Sequence, residues 1–311
     1  MPVKSLVALL APGQGSQTPG MLSPWLELAG ASDQLATWSD VSGLDLVRLG
    51  TTASAEEITD TAVTQPLVVA ATLLAHQEYT RRGLLADADT ATAGHSVGEI
   101  AAYAIAGIFS ADDAVALAAI RGKEMAKACA LEPTGMSAVL GGDEAEVLAF
   151  LEDLELVPAN RNAAGQIVAA GRVEALAKLA ENPPAKARVR QLATAGAFHT
   201  HFMASAQEAY AAAAANVSTS EPTAVVLSNA DGQPVASAAD AMTKLVAQLT
   251  RPVRWDLCTQ GLRQRFEKAD ATAIVEFPPA GTLTGIAKRE LRGIGTHAVK
   301  TPADLDGLTE L

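Results

Sequence analysis

Short apolar runs alternate along the chain with longer stretches in which apolar positions recur every three or four residues. The run at 6–11, Leu-Val-Ala-Leu-Leu-Ala, has the length of a buried strand, and Pro12-Gly13-Gln14-Gly15 turns the chain directly after it. A helix is predicted over 66–79, with Thr64 as its cap and Pro66 near its start. The small run at 91–93 leads into a turn at Gly94, and an Ala-rich helix follows at 99–107. Ser110 and Asp113 have capping-box spacing, which predicts a helix from there to about residue 130. Strand-then-helix alternation of this kind favours a mostly parallel sheet covered by helices.

The middle of the chain changes rhythm. Strands are predicted at 137–140, 167–170 and 187–192, with helices at 144–154 and 173–180 and a break at Asn182-Pro183-Pro184. Two short strand–helix units in so small a space predict an α+β insert of ferredoxin-like form. Alternation then resumes, with a helix at 203–215, a strand at 224–228, a turn at Asp231-Gly232 and a helix at 238–249. A strand at 273–277 and a helix at 283–291 close the pattern. The fold class expected is α/β: an α/β-hydrolase-like parallel-sheet body over 1–130 and 199–311, interrupted by a ferredoxin-like insert over 131–198.

Composition narrows the picture. Hydrophobic residues make up 49% of the 311 positions and aromatics only 4%, so the core is built mainly of aliphatic side chains and alanine. The formal net charge of −12 argues against nucleic acid as a partner, because phosphate binding needs a basic surface. It leaves room for an anionic small ligand on a local basic patch. Cys129 and Cys258, the two cysteines, sit among apolar neighbours and read as small core residues. No Cys/His cluster has metal-ligand spacing, so no metal is expected. The 6–11 run turns too soon for a secretory leader, and no apolar stretch is long enough to span a bilayer. A soluble cytoplasmic protein is the expectation.

Gly94-His95-Ser96-Val97-Gly98 fits the G-x-S-x-G pattern of a nucleophile elbow. A serine on a sharp strand-to-helix turn needs a strained backbone and close neighbouring chain, and glycine permits both. The Val97 amide would then lie at a helix N-terminus, where it can stabilise an oxyanion. The serine needs a base. His76 and His297 read as packing or surface residues, and His95, on the elbow itself, is expected to point away from Ser96. His199 and His201 lie where the chain leaves the insert, and either could serve. No acidic residue stands out as the third member of a triad, so either an acid lies hidden elsewhere in the sequence or a backbone carbonyl orients the base. Arg121 falls on the apolar stripe of its helix with Ala114, Leu117 and Met125. A guanidinium there needs an anion, either Glu124 one turn away or a substrate carboxylate gripped in bidentate fashion. Gly13-Gln14-Gly15-Ser16-Gln17 lacks the Gly-Lys-Ser/Thr of a phosphate loop, and the Gln14 amide is a candidate second oxyanion donor.

Taken together, these segments resemble the malonyl-CoA:acyl-carrier-protein transacylase family over nearly the whole chain. Pro12-Gly13-Gln14-Gly15-Ser16-Gln17 resembles the family's opening motif, Gly94-His95-Ser96-Val97-Gly98-Glu99 its nucleophile motif and Arg121-Gly122 its carboxylate-binding arginine. The stretch from Asn162 through Gln166 to Gly171, Gly196-Ala197-Phe198-His199, and Gln248 followed by Pro252-Val253-Arg254-Trp255 resemble three further motifs in order. The resemblance implies Ser96 as nucleophile, His199 rather than His201 as base, and the Gln248 main-chain carbonyl as the group that orients it. It also implies Gln14 and Val97 amides in the oxyanion hole, and Arg121, Phe198, Asn162 and Gln166 in substrate binding. Phe198 is the residue type of malonyl-selective members. The implied reaction is ping-pong transfer of malonyl from coenzyme A to the phosphopantetheine thiol of holo acyl carrier protein, supplying fatty-acid elongation, with no permanently bound cofactor. A serine thioesterase on the same elbow, a related polyketide acyltransferase and a carrier-docking module with a relic elbow are the alternatives. Glu276-Phe277-Pro278-Pro279-Ala280-Gly281 departs from the family's commoner Gly-Pro-Gly run, which puts the shape of that loop in question. Arg188, Arg190, Lys288, Arg289 and Arg292 are candidates for a basic carrier-protein patch. A monomer is the expected state.

Overall fold

The apolar 6–11 run lies at the centre of a parallel sheet in a computed structural model that describes residues 5–84 and 86–308. The strands are β1 (Leu6–Ala11), β2 (Asp89–Gly94), β3 (Thr134–Gly141), β4 (Val157–Ala163), β5 (Gln166–Arg172), β6 (Ala187–Gln191), β7 (Val225–Leu227), β8 (Thr272–Glu276) and β9 (Gly295–Ala298). Five of them form the sheet β7-β2-β1-β8-β9, in which each neighbouring pair is parallel. A strand buried on both faces has no reason to alternate, which is why β1 reads as a continuous apolar run.

The other four strands form an antiparallel sheet in the order β4-β5-β3-β6. With the helices Glu144–Asp153 and Val173–Glu181 this is the ferredoxin-like arrangement. β4 escapes the periodicity reading. Its sequence, Val-Pro-Ala-Asn-Arg-Asn-Ala, has neither an apolar run nor clean alternation, and its register against β5 shifts twice. Its free edge pairs with the body: the Arg161 N–H donates to the Val253 carbonyl and the Val253 N–H to the Ala159 carbonyl, both at 2.9 Å. The small sheet packs its two faces differently. Val139, Ile167 and Ala169 bury against the sheet's own helices, whereas Met136, Val168 and Ala170 join the core of the body.

One helix runs well beyond its predicted ends. The 66–79 segment belongs to a helix over Thr61–Arg81, capped by Asp60, whose carboxylate accepts from the Ala62 N–H. Thr64 is therefore not the cap; its hydroxyl donates to the Ile58 carbonyl inside the structure. The Ser110 cap forms as expected and opens the helix Ala111–Cys129. Helices at Ala31–Ser42, Leu46–Thr51 and Trp255–Phe266, and the edge strand β9, are additions to the sequence reading.

Candidate active site

β1 and β2 end side by side, with Ala11 paired to Gly94, and the chain beyond each carries the site. This is where ligands settle in open α/β sheets, outside the carboxyl ends of the strands. After β2 the backbone reverses at Ser96, whose φ of +54° lies in the left-handed region. Its two flanking glycines have another task, which is close approach. A Cβ on Gly94 would collide with the Gly98 carbonyl, and one on Gly98 with the Ala11 carbonyl. Val97 caps the helix Gly98–Ile105, so its amide lies at the positive end of that helix.

Ser96 Oγ lies 2.7 Å from His199 Nε2. His199 Nδ1 donates to the Gln248 main-chain carbonyl at 2.8 Å, and this fixes the tautomer that leaves Nε2 free to accept the serine proton. His199 is also in the left-handed region, with φ +61°. The Ala197 N–H bonded to Thr134 Oγ1 and the Thr200 hydroxyl bonded to the Ala197 carbonyl hold the loop around it. Burial, followed by the charge on Arg121, lowers the His199 pKa to about 3. His201 goes elsewhere: it is exposed and lies against Phe202 with the rings tilted, 4.2 Å between centroids.

Arg121 is buried at 1% exposure, on the stripe with Ala114, Leu117 and Met125. Its Nη1 donates to Gln65 Oε1 at 2.7 Å and its Nη2 to Gln248 Oε1 at 2.9 Å, with Ser96 Oγ at 3.5 Å. Nε has no partner, and no carboxylate bonds the guanidinium among the described residues. Glu124, the alternative partner, pairs instead with Lys127. Burial lowers the Arg121 pKa to about 10, so the group stays cationic at neutral pH. Gly122 brings Gln65 within reach, because a Cβ there would lie 2.6 Å from the Thr61 carbonyl and 3.3 Å from Gln65 Cβ.

A cavity of about 450 Å³ opens over these groups. Gln14, Val97, Phe198, Asn162 and Gln166 line it together with Ser96, His199 and Arg121. His95 lines it too, contrary to the expectation that it points away. Its Nε2 donates to Asn162 Oδ1 at 2.9 Å, and its ring stands edge-on to Trp255. Asn162 thus holds the elbow's own histidine, while Gln166 Oε1 accepts from Arg289 at the cavity mouth at 2.7 Å. The divergent 276–281 loop keeps its place because buried Glu276 accepts from the amides of Gly281, Leu283 and Thr284 at the start of the helix Thr282–Glu290. That helix lends Thr282, Leu283 and Ile286 to the cavity wall.

The proposed basic residues divide. Arg188 and Arg190 pair with Leu140 and Ala138, which pair in turn with Gln166 and Val168. Directly paired strand residues share a face, so both arginines leave the edge strand on the cavity side. Arg289 bonds cavity-lining Gln166, Lys288 is exposed beside it, and Arg289 and Arg292 both line a second cleft with Arg263 and Glu267. Sequence reasoning missed three buried polar residues, Gln65, Glu99 and Asn229, which tie Arg121, Gln248 and the elbow together.

A parallel-sheet body with an elbow serine bonded to a histidine places the protein among the acyltransferases, and a family model for the acyl transferase domain matches residues 9–303. The chain is 78% identical over 291 residues to the malonyl CoA-acyl carrier protein transacylase of Mycolicibacterium smegmatis, covering 94% of this chain and 100% of that protein. The crystal structure of MCAT from Mycobacterium tuberculosis superimposes with a TM-score of 0.95 at 73% identity, covering 98% of this chain and 99% of that one. A malonyl-transacylase in complex with a type II polyketide acyl-carrier protein aligns with a TM-score of 0.89 at 29% identity, over 98% of this chain and 99% of that chain. The chain belongs to the malonyl CoA-acyl carrier protein transacylase family.

Proposed function

We propose that the protein transfers a malonyl group from malonyl-CoA to the phosphopantetheine thiol of acyl carrier protein through a malonyl-Ser96 intermediate. The observation that carries this reading is the buried Arg121 guanidinium, held by neutral oxygens and 3.5 Å from Ser96 Oγ. An acyl group on Ser96 that ends in its own carboxylate would place that carboxylate against the guanidinium. A monocarboxylic acyl group would leave the buried cation unanswered.

In the first half-reaction Ser96 Oγ attacks the thioester carbon while His199 Nε2 takes its proton. The amides of Val97 and Gln14 stabilise the oxyanion. The intermediate collapses, the carbon–sulfur bond breaks, and coenzyme A leaves as its thiol with the proton from His199. In the second half the carrier's thiol gives its proton to His199 and attacks the ester carbon, and Ser96 recovers the proton as it leaves. The Gln248 carbonyl keeps the imidazole in the required tautomer throughout, so no acidic third member is needed. Phe198 restricts the space beside the acyl group, and Asn162 and Gln166 shape the wall around it.

The body, 1–130 with 199–311, carries Ser96, His199, Arg121 and Gln248, and the insert, 131–198, closes the cavity over them. Arg188, Arg190 and Arg289 at the mouth suit the phosphates of coenzyme A and an acidic carrier protein. No helix among the described residues is long and apolar enough to cross a membrane, and a cytoplasmic monomer with no resident cofactor fits the reaction. The test separates transfer from hydrolysis. Malonyl-loaded protein is chased with and without holo carrier protein. Rapid loss of the acyl group only with the carrier is expected; release of free malonate at the same rate in both would overturn transfer in favour of a thioesterase.

A further inference from the structure

We propose that Glu99 is a positioning residue for this reaction, setting the orientation of the Gln248 side-chain amide and through it the Arg121 guanidinium. The inference rests on the reading of Arg121 as the site for the acyl carboxylate. Glu99 is fully buried, yet no cation bonds it directly. Its Oε1 accepts from the Asn229 N–H and its Oε2 from Gln248 Nε2, both at 2.6 Å. An amide side chain has one acceptor oxygen and one NH2, so this contact commits the NH2 of Gln248 to the carboxylate. The oxygen must then face the other way, where it accepts from Arg121 Nη2 at 2.9 Å. The reverse orientation would set an oxygen against a carboxylate and an N–H against a guanidinium.

The relay serves the chemistry in a way that a direct ion pair could not. A carboxylate bonded to Arg121 would occupy the edge that the substrate's carboxylate needs. With an amide between them, the guanidinium is met by the Gln248 oxygen and not by the carboxylate, and that edge is left unclaimed. The same NH2 approaches the Ser96 and Asn229 oxygens at 3.2 Å each. Asn229 in turn bonds the Ser96 N–H at 2.8 Å and the Gly94 carbonyl at 2.7 Å. One carboxylate thereby registers the clamp against the elbow.

The test compares malonyl with acetyl transfer by kcat/KM in the wild-type protein, Glu99→Gln, Glu99→Asp, Gln248→Met and Arg121→Ala, each checked for a cooperative thermal transition. Glu99→Gln turns the relay over and should cut malonyl transfer about 100-fold, the scale of a misdirected charged hydrogen bond, with a much smaller loss for acetyl. Glu99→Asp should recover part of the malonyl preference. Equal losses for the two acyl groups in Glu99→Gln would overturn the proposal. If that variant does not fold, Gln248→Met decides. It cuts the relay from the other side and keeps the carbonyl that holds His199, so the malonyl-to-acetyl ratio should fall, and an unchanged ratio overturns the proposal. The two readings fail differently: a ratio unmoved by Arg121→Ala sinks the clamp itself, while a ratio lowered by Arg121→Ala but not by Glu99→Gln sinks only the role of Glu99.

Discussion

Arg121 touches neutral amides where a buried guanidinium would ordinarily meet a carboxylate, and this sets the first expectation at the scale of single residues. Arg121→Ala should reduce malonyl kcat/KM by about 2–3 kcal/mol of transition-state binding while acetyl transfer falls much less, measured by steady-state kinetics with both donors. The same cation acts on His199. Burial and the charge of Arg121 hold His199 near 3, far below its ordinary 6.5, so the imidazole stays neutral at working pH. Nitrogen-15 shifts of the His199 ring should show no protonation between pH 8 and pH 5, and Arg121→Met should move its titration upward; a wild-type titration at the ordinary value would contradict the account. The stability consequence has a definite sign. Between about 6.5 and about 3 the unfolded chain binds a proton that folded His199 does not, so this group removes stability as pH falls through that window. Glu99, raised by burial from 4.5 to about 7, removes stability as pH rises between those values. Ser96 and Arg121 were legible from spacing, and His199 was narrowed to a pair of histidines before the family resemblance selected it. Gln65 and Asn229 were not, because a single polar residue in an apolar helix or at a strand end has no periodic signature; Glu99 stood within the nucleophile motif, but spacing gave it no role.

At the scale of elements, the helices announce themselves through caps and stripes, and the closest contacts through glycine. Ser110 both accepts from the Asp113 N–H and donates to its carboxylate, closing the first turn of the helix that carries Arg121. Ser110→Ala should cost about 1 kcal/mol in thermal or denaturant unfolding with kcat unchanged, since the arginine lies three turns inside the helix. Gly122 shows the opposite sensitivity. A methyl group there presses on the Thr61 carbonyl and Gln65, so Gly122→Ala should lower malonyl transfer as well as stability. β1 and β8 were legible as apolar runs because they are buried, whereas β9, the half-exposed edge strand, was not. β4 was not, since its bulges and polar residues follow its pairing with Val253 rather than a hydrophobic face.

At the scale of the whole molecule, the sequence marked out two lobes, but the boundary is less sharp in three dimensions than along the chain. One face of the small sheet shares the core of the body, and β4 is joined to it by main-chain hydrogen bonds. The net charge of −12 leaves room for local basic groups: exposed Arg188 and Arg190 leave the edge strand on the cavity side, and Arg289 bonds cavity-lining Gln166. Reversing charge there, as in Arg188→Glu with Arg190→Glu, should raise the KM for carrier protein several-fold at low salt, with the difference shrinking as salt screens it. The most direct test of the central claim is the mass of the protein itself. A rapid acid quench after mixing with malonyl-CoA, followed by intact-mass and peptide analysis, should find one malonyl group on the peptide containing Ser96, and none in Ser96→Ala. An unmodified wild-type protein, or a malonyl group on any other residue, would contradict the account.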